Sequence, residues 1–125
     1  QMSIRDRISV IEKTVIKTMS KWKVPGYTDR LARGVYCKSR KKIASIGLRV
    51  RRGCTYHGIS FNVDMDMSPW KSINACGLDL EMTQLKNETN DYVDFNDVLF
   101  TFKKELIKEL GYNDESENIV DNTSL

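Results

Sequence analysis

The first 22 residues carry apolar side chains at steps of three and four positions. These apolar positions are Ile4, Ile8, Ile11, Val15, Met19 and Trp22. A spacing of about 3.6 residues places them on one face of an α-helix. Ser3 can cap the start of this helix, and Pro25 with Gly26 prevents the helix from continuing. The pattern therefore predicts an amphipathic helix that packs against a core.

Beyond residue 33 the apolar positions alternate, which is the pattern of β-strands. GVYC (34–37) predicts a short strand, SRKK a polar turn, and KIASIGLRVRRG a longer strand. RRGCTYHG then predicts a turn, and ISFNV (59–63) a third strand. On the longer strand, alternation puts Lys42, an ammonium group that normally seeks water, on the same face as Ala44, Ile46, Leu48 and Val50.

The C-terminal part of the chain contains the clearest helix. DFNDVLFTFKKELIKEL has an apolar stripe at Val98, Leu99, Phe102, Leu106 and Leu110. Asp94 or Asn96 can cap this helix, and Gly111 ends it. Before it, LDLEMTQL (78–85) predicts a short helix, and Pro69 excludes a regular helix through the preceding connection. Residues 113–125 are polar and acidic, which predicts a flexible tail.

The order of helix, two or three strands, irregular connection and helix predicts an α+β fold with a small mixed or antiparallel sheet and flanking helices. The chain of 125 residues is long enough for one domain, which we assign to residues 1–112. Sheets usually contain about four to six strands. Two or three strands therefore indicate a domain that lacks neighbouring elements.

Composition narrows the class of protein. Apolar residues make up 40% and charged residues 30% of the chain, and no apolar run approaches the roughly 20 residues of a membrane helix. A net charge of +3 is too small to indicate a nucleic-acid partner. The charged N-terminus does not have the pattern of a signal peptide, and an odd number of widely spaced cysteines fits a reducing compartment. We therefore expect a cytoplasmic protein that does not bind membranes.

Two basic or histidine-containing segments are ambiguous. Arg49, Arg51 and Arg52 form a basic run that is either a solvated strand edge or a docking patch for an acidic partner. His57 is the only histidine, and without further histidines it does not make a metal site. It either orients a substrate carbonyl or satisfies backbone groups beside Gly58.

Cys76 also has two interpretations: a small buried side chain or a nucleophile. A thiol with a pKa near about 8.5 is mostly protonated at neutral pH, and a neighbouring ammonium group stabilises the thiolate. Lys42 could supply that charge if the fold brings it close. Gly77 would let the backbone approach a ligand, and a helix starting there would favour an anion.

The segment KIASIGLRVRRGCTYHGISFNVDMDMSPWKSINACGL (42–78) resembles the octanoyltransferases of lipoate biosynthesis, relatives of the biotin and lipoate protein ligases. It differs from the family pattern at Ala75, where proline is common, and at Trp70, where phenylalanine is usual. Residues 1–41 contain no RGG…HGPGQ segment of the family's N-terminal half. The resemblance therefore implies the C-terminal half of the catalytic domain, as a partial biotin/lipoate protein ligase-like domain.

The resemblance implies roles for individual residues. Cys76 would accept the octanoyl group as a thioester, and Lys42 would lower the pKa of that thiol and transfer protons. His57 and Gly77 would support the site. The acyl and pantetheine pocket would be lined by Ser45, Ile46, Gly47, Gly58, Ile59 and Ser60.

The implied function is transfer of an octanoyl group from acyl carrier protein to a lysine of lipoyl domains, those of 2-oxoacid dehydrogenases and the glycine cleavage H protein. No cofactor or metal is implied, since the donor carries its own phosphopantetheine. A second chain could supply the missing N-terminal half. The alternative is a non-catalytic half-domain, a fragment or a subunit of a split enzyme, that binds acyl chains or lipoyl domains.

Overall fold

The computed structural model describes residues 3–29, 31, 33–51, 54–65 and 81–111. Cys76, Gly77 and the predicted tail at 113–125 lie outside these ranges. The elements in chain order are α1 (Ile4–Ser20), β1 (Gly26–Thr28), β2 (Val35–Cys37), β3 (Lys42–Arg51), β4 (Cys54–Phe61), α2 (Leu85–Glu88) and α3 (Phe95–Glu109).

Both long helices begin where the sequence provides a cap. The Ser3 side chain accepts a hydrogen bond from the Asp6 amide at the start of α1, and Asp94 accepts one from the Asn96 amide at the start of α3. Of the two predicted caps, Asp94 and Asn96, Asp94 is therefore the one that caps α3. Gly111 follows the end of α3 with a φ of +82°, a conformation that glycine adopts without strain.

The two long helices pack against each other beneath the sheet. Lys17 of α1 forms an ion pair with Glu109 of α3. The hydrogen bond to this carboxylate and its charge raise the pKa of Lys17. Trp22 donates its indole N–H to the carbonyl of Tyr92, 3.1 Å away. These contacts tie the C-terminal part of α1 to the end of α3 and to the segment that leads into α3.

The sheet is antiparallel with the strand order β1-β2-β3-β4. The α+β prediction is confirmed, but two of its details are wrong. β1 was not predicted, because Pro25 and Gly26 were interpreted only as a stop. β4 begins at Cys54 rather than at residue 59, so CTYHG is part of a strand that pairs with β3 instead of a turn.

The register between β2 and β3 shifts at one point. Val35 pairs with Ala44, but Tyr36 pairs with Lys42, so Ile43 is an extra residue in β3. A bulge of this kind interrupts the alternation of faces. Val35, Ile43 and Ala44 belong to the core, whereas the Lys42 ammonium lies over the Tyr36 ring. The prediction that Lys42 shares the apolar face of its strand is therefore wrong.

We call the side of the sheet that faces away from α1 and α3 the outer face. Tyr36 lies on it, because its neighbours Val35 and Cys37 face the core, and its ring stacks on that of Tyr27. Ser45 follows the core residue Ala44 and pairs directly with Ser60. By alternation, the outer face carries Tyr27, Tyr36, Lys42, Ser45 and Ser60.

The core lies between the inner face of the sheet and the helices. Its buried members include Val15, Met19, Trp22, Val24, Val35, Cys37, Ile43, Ala44, Val63, Leu85, Val98 and Phe102. The predicted helix at 78–85 is wrong for residues 81–84, since Met82 forms a parallel bridge with Lys42 and the short helix α2 starts at Leu85. Among the helices in the described ranges, none is long and apolar enough to cross a membrane.

Candidate functional site

Lys42 is a buried lysine, with 6% of its surface exposed. Its Nζ atom lies 6.0 Å from the centroid of the Tyr36 ring, within the range of a cation–π contact. The structure gives it no carboxylate partner among the residues it describes. Burying an ammonium group is costly unless an anion or hydrogen-bond acceptor compensates it. The position therefore requires a compensating group.

Gly34 makes room for the Lys42 side chain. A Cβ atom added at Gly34 would lie 2.5 Å from Lys42 Cε and 2.5 Å from the carbonyl oxygen of Ala44. The φ angle of Gly34 is +134°, in a region that other residues rarely adopt. The glycine before β2 therefore permits the lysine to pass across the strand.

The backbone of Lys42 is held by the segment that begins at residue 81. The Lys42 amide donates to the Glu81 carbonyl, and the Thr83 amide donates to the Lys42 carbonyl, each at 2.8 Å. Tyr36 pairs with Lys42 on the opposite side. Hydrogen bonding on both sides fixes the position from which the lysine side chain extends.

The described residues on either side of positions 66–80 are hydrogen-bonded to each other. The buried Asn62 donates its side-chain amide to the Thr83 carbonyl at 3.0 Å, and its own carbonyl accepts from the Leu85 amide at 3.0 Å. The Met65 amide donates to Gln84 Oε1 at 2.6 Å. Residues 62–65 and 81–85 are therefore neighbours beside the start of β3.

The other predicted catalytic residues are only partly covered. Cys76 and Gly77 fall outside the described ranges. His57 lies in β4, where its backbone pairs with Leu48, and its side chain is not among those described. The structure therefore places Lys42 but does not test its proximity to Cys76.

The six predicted pocket residues are direct neighbours across two strands. Ser45 pairs with Ser60, Ile46 with Ile59, and Gly47 with Gly58. Their side chains do not all share one face. Ser45 and Ser60 lie on the outer face with Lys42. Ile46 and Ile59 lie on the inner face, where Ile59 packs against the core.

An apolar cleft of about 440 Å³ lies on the inner side, between the end of β4 and α3. It is lined by Ile59, Ser60, Phe61, Val63, Phe95, Val98, Leu99, Phe102 and Lys103. The sequence patterns did not identify it. The available signal is Phe95, which extends the apolar stripe of α3 by one turn at its N-terminal end and is 57% exposed.

The structure indicates that the Cys37 thiol is unreactive. The side chain is buried in the core, and burial, together with the charge of Glu88 and a hydrogen bond to it, raises the pKa of Cys37 to about 12. Glu88 also accepts hydrogen bonds from Ser39 at 3.1 Å and Thr83 at 2.7 Å. Cys37 is therefore protonated at neutral pH and shielded from reagents.

Within the described parts of the chain, no group of three or more histidine, cysteine, aspartate or glutamate side chains could hold a metal ion.

Comparisons with known proteins agree with one another. A model of the lipoyl protein ligase A/B catalytic domain matches residues 1–107. An octanoyltransferase from Haemophilus influenzae (strain PittGG) is 40% identical over 114 residues, covering 90% of this chain and 53% of that protein. One from Cellvibrio japonicus (strain Ueda107) is 41% identical over 116 residues, covering 90% and 52%.

The same comparisons set the extent of the likeness. The apo structure of the biotin protein ligase from Aquifex aeolicus matches with a TM-score of 0.64 at 20% identity, over 85% of this chain and 45% of that chain. At this identity the match shows the fold. The chain spans about half the length of the curated relatives it matches. That this span is the C-terminal half stays a prediction.

Proposed function

Since the chain belongs to the lipoyl protein ligase A/B catalytic domain family, we propose that it carries the thiol and lysine of an octanoyltransferase. In this proposal Cys76 is the nucleophile and Lys42 is its ionic partner and proton carrier. One observation carries the proposal. Lys42 is buried without a carboxylate partner in the described part of the chain, and its backbone is bonded to the segment downstream of Cys76.

Chain connectivity supports this pairing. Cys76 precedes Glu81 by five residues, and a chain of that length spans at most about 18 Å. Because Glu81 is hydrogen-bonded to Lys42, this tether is compatible with the proposed contact between the thiol and the lysine. A thiolate there would supply the anion that the buried ammonium requires.

The first half-reaction would transfer the octanoyl group from the phosphopantetheine thioester of acyl carrier protein. The Cys76 thiolate attacks the carbonyl carbon, and backbone N–H groups near Gly77 hold the oxyanion. The pantetheine C–S bond then breaks, and the departing thiolate takes a proton from Lys42. The products are an octanoyl-Cys76 thioester, the free pantetheine thiol and a neutral Lys42 amine.

The second half-reaction would deliver the group to a lipoyl domain. The neutral amine of the acceptor lysine attacks the Cys76 thioester, and its proton passes to Lys42. The C–S bond breaks, an amide forms, and the thiolate–ammonium pair is restored. The two steps need neither ATP nor a resident cofactor, and they predict ping-pong kinetics.

The outer face would supply part of the substrate-binding surface. Ser45 and Ser60 can hydrogen-bond a pantetheine amide, and the paired Gly47 and Gly58 leave the backbone accessible to it. Ile46 and Ile59 support this surface from the inner side, and His57 remains a supporting residue. The same proposal includes acyl carrier protein as the donor, lipoyl domains as the acceptors and a cytoplasmic location.

Mass spectrometry of the chain mixed with octanoyl-acyl carrier protein tests the assignment. We expect an added octanoyl group that Cys76→Ala abolishes and that the matched variant Cys37→Ala retains. An adduct that persists in Cys76→Ala, or that maps to Cys37, would contradict the proposal.

A second candidate is favoured by the span of the chain, which is about half that of its relatives. In this alternative the chain is a non-catalytic half-domain that binds acyl chains or lipoyl domains. Iodoacetamide labelling at pH 7, mapped by peptide, distinguishes the two. Rapid labelling of Cys76 with Cys37 unlabelled supports the transferase, and equally slow labelling of both supports the alternative.

A further inference from the structure

Tyr36 contacts a side chain on each of the two strands that flank β2. Its backbone pairs with that of Tyr27 in β1, and the two rings stack with their centroids 5.7 Å apart at an interplanar angle of 27°. On the other side it pairs with Lys42 in β3, whose Nζ atom lies 6.0 Å from the centroid of its ring. Tyr36 is 3% exposed and Tyr27 is 43% exposed. The three side chains therefore form a row across the outer face, with the buried ring of Tyr36 in the middle.

The acidic side chains of the segment that is bonded to Lys42 have other partners. Glu81 forms an ion pair with Lys41 at 3.5 Å, and Glu88 accepts a hydrogen bond from Thr83 at 2.7 Å. Within the described ranges, the contact that the Lys42 ammonium makes is with the Tyr36 ring. The structure therefore holds this buried cation against an aromatic face instead of a carboxylate.

An aromatic ring and a carboxylate hold an ammonium group in different ways. A carboxylate carries a full negative charge, so it would compete with a second anion for the lysine. The face of a neutral aromatic ring attracts a cation through its quadrupole and carries no net charge. The ring can therefore hold the ammonium in place while leaving its positive charge available to an incoming anion.

We propose that Tyr36 is a positioning residue that directs the Lys42 ammonium toward the Cys76 thiolate, with Tyr27 bracing its ring. This inference rests on the proposed function, in which that thiolate is the partner of Lys42. A functional group is held precisely when packing locks the side chains around it, and the buried Tyr36 is packed in this way. Without the ring, the flexible four-carbon stem of the lysine would sample positions away from the thiol.

Alkylation of Cys76 by iodoacetamide, mapped by peptide on the full 125-residue chain, reports the contact between lysine and thiolate. We expect Tyr36→Leu to raise the pH midpoint of alkylation by roughly one unit, toward the ordinary thiol value of about 8.5. Tyr36→Phe should keep the midpoint of the unmodified chain, because it keeps the face of the ring. A Tyr36→Phe variant that shifts as far as Tyr36→Leu would overturn the role of the ring.

Ring fluorination tests the electrostatic role without changing the packing. The Tyr36→Phe variant is prepared with one, two or three fluorine atoms on the ring at that position, which weakens the negative potential of the face while nearly preserving its shape. The midpoint should rise stepwise with each fluorine. A constant midpoint through the series would show that the ring serves only to fill space. Cys37, the next residue in β2, is buried, so its protection from labelling checks that each variant is folded.

A double-mutant cycle tests whether Tyr36 acts through Lys42. In the Lys42→Met background, adding Tyr36→Leu should not move the Cys76 midpoint further, because the cation that the ring holds is absent. Additive shifts would overturn the proposal. Tyr92→Leu is the matched control, since Tyr92 is an 85% exposed tyrosine that precedes α3. A shift in this control as large as that of Tyr36→Leu would also overturn it.

The same measurement separates this inference from the proposed function. An ordinary midpoint near about 8.5 in the unmodified chain would overturn the proposed function, and this inference with it. A lowered midpoint that Tyr36→Leu leaves in place would overturn this inference alone.

Discussion

Burial of the Lys42 ammonium is expected to cost more stability than its contact with the Tyr36 ring returns. Its ammonium is buried over the Tyr36 ring, and a cation–π contact is worth about 2 kcal/mol at most when desolvated. The effective cost of burying an ion is several kcal/mol. This expected cost fits the proposed function, in which the Cys76 thiolate compensates the charge of the ammonium.

Lys42→Met should therefore raise the free energy of unfolding while removing function. Methionine keeps the length of the side chain, and replacing buried charges by apolar groups stabilises by about 1–4 kcal/mol in known cases. The midpoint of Cys76 alkylation should move to the ordinary thiol value of about 8.5. Urea unfolding at pH 7 and alkylation rates across pH 6–9 give both quantities. A destabilised variant with an unchanged alkylation midpoint would show that Lys42 is structural.

Gly34→Ala should disturb the same lysine from the neighbouring strand. The added Cβ would meet Lys42 Cε and the Ala44 carbonyl, so either the side chain or the strand must shift. We expect a loss of about 1–3 kcal/mol in the free energy of unfolding and, under the proposed function, slower octanoyl transfer. Gly111→Ala is the control, since Gly111 also has a positive φ but open space around it. Equal losses of stability in the two variants would show that the positive φ angle, and not the contact with Lys42, causes the loss.

The Cys37 thiol should make the free energy of unfolding decrease as the pH rises into the alkaline range. Its pKa is about 12 in the folded chain and about 8.5 when unfolded, so the folded state retains a proton that the unfolded state loses. The free energy of unfolding should therefore fall above pH 8.5 by about 1.4 kcal/mol per pH unit. Cys37→Ala removes this contribution. The slopes of unfolding free energy between pH 8.5 and 10.5 should differ by that amount, and parallel slopes would contradict the prediction.

The clasp formed by residues 62–65 and 81–85 is the element that positions the site. Asn62→Ala removes the donor to the Thr83 carbonyl and leaves that buried acceptor unpaired, which costs about 1–3 kcal/mol. Amide exchange at Thr83 and Leu85 should accelerate correspondingly. Asn87→Ala provides the comparison, because the Asn87 side chain is exposed and accepts a bond from the neighbouring Gln84. Unchanged exchange in Asn62→Ala would mean that the backbone bonds alone hold the clasp.

At the same scale, the sequence predicted the elements that depend on local signals. Residues close together in the sequence determine the helical period and caps of α1 and α3 and the alternation of side chains along β3. The bulge at Ile43, which turns Lys42 to the outer face, depends on the pairing with β2. The extended conformation of Glu81 and Met82 depends on their bonds to Lys42, so helical propensity was overruled by tertiary contacts.

At the scale of the molecule, the sequence predicts which residues belong to the candidate site but not how they are arranged in space. The six predicted pocket residues belong to two sequence segments, and the register of β3 and β4 makes them three direct pairs. Which of them face Lys42 depends on the bulge and the core, which sequence spacing does not encode. The cleft beside α3 is a property of how helix and sheet edge meet, and no single segment signals it.

Charge distribution over the whole molecule gives a last prediction. Arg49 and Arg51 lie at one end of β3, while Lys38 and Arg40 precede its other end, about 30 Å away by strand geometry. If the first pair docks acidic acyl carrier protein, Arg49→Glu with Arg51→Glu should lower kcat/KM about tenfold or more at low salt, with a smaller effect at about 0.5 M salt because exposed charges are screened. Lys38→Glu with Arg40→Glu changes the net charge equally and should have little effect. Equal losses in both double variants would show that net charge, rather than a docking patch at the Arg51 end of β3, governs the encounter.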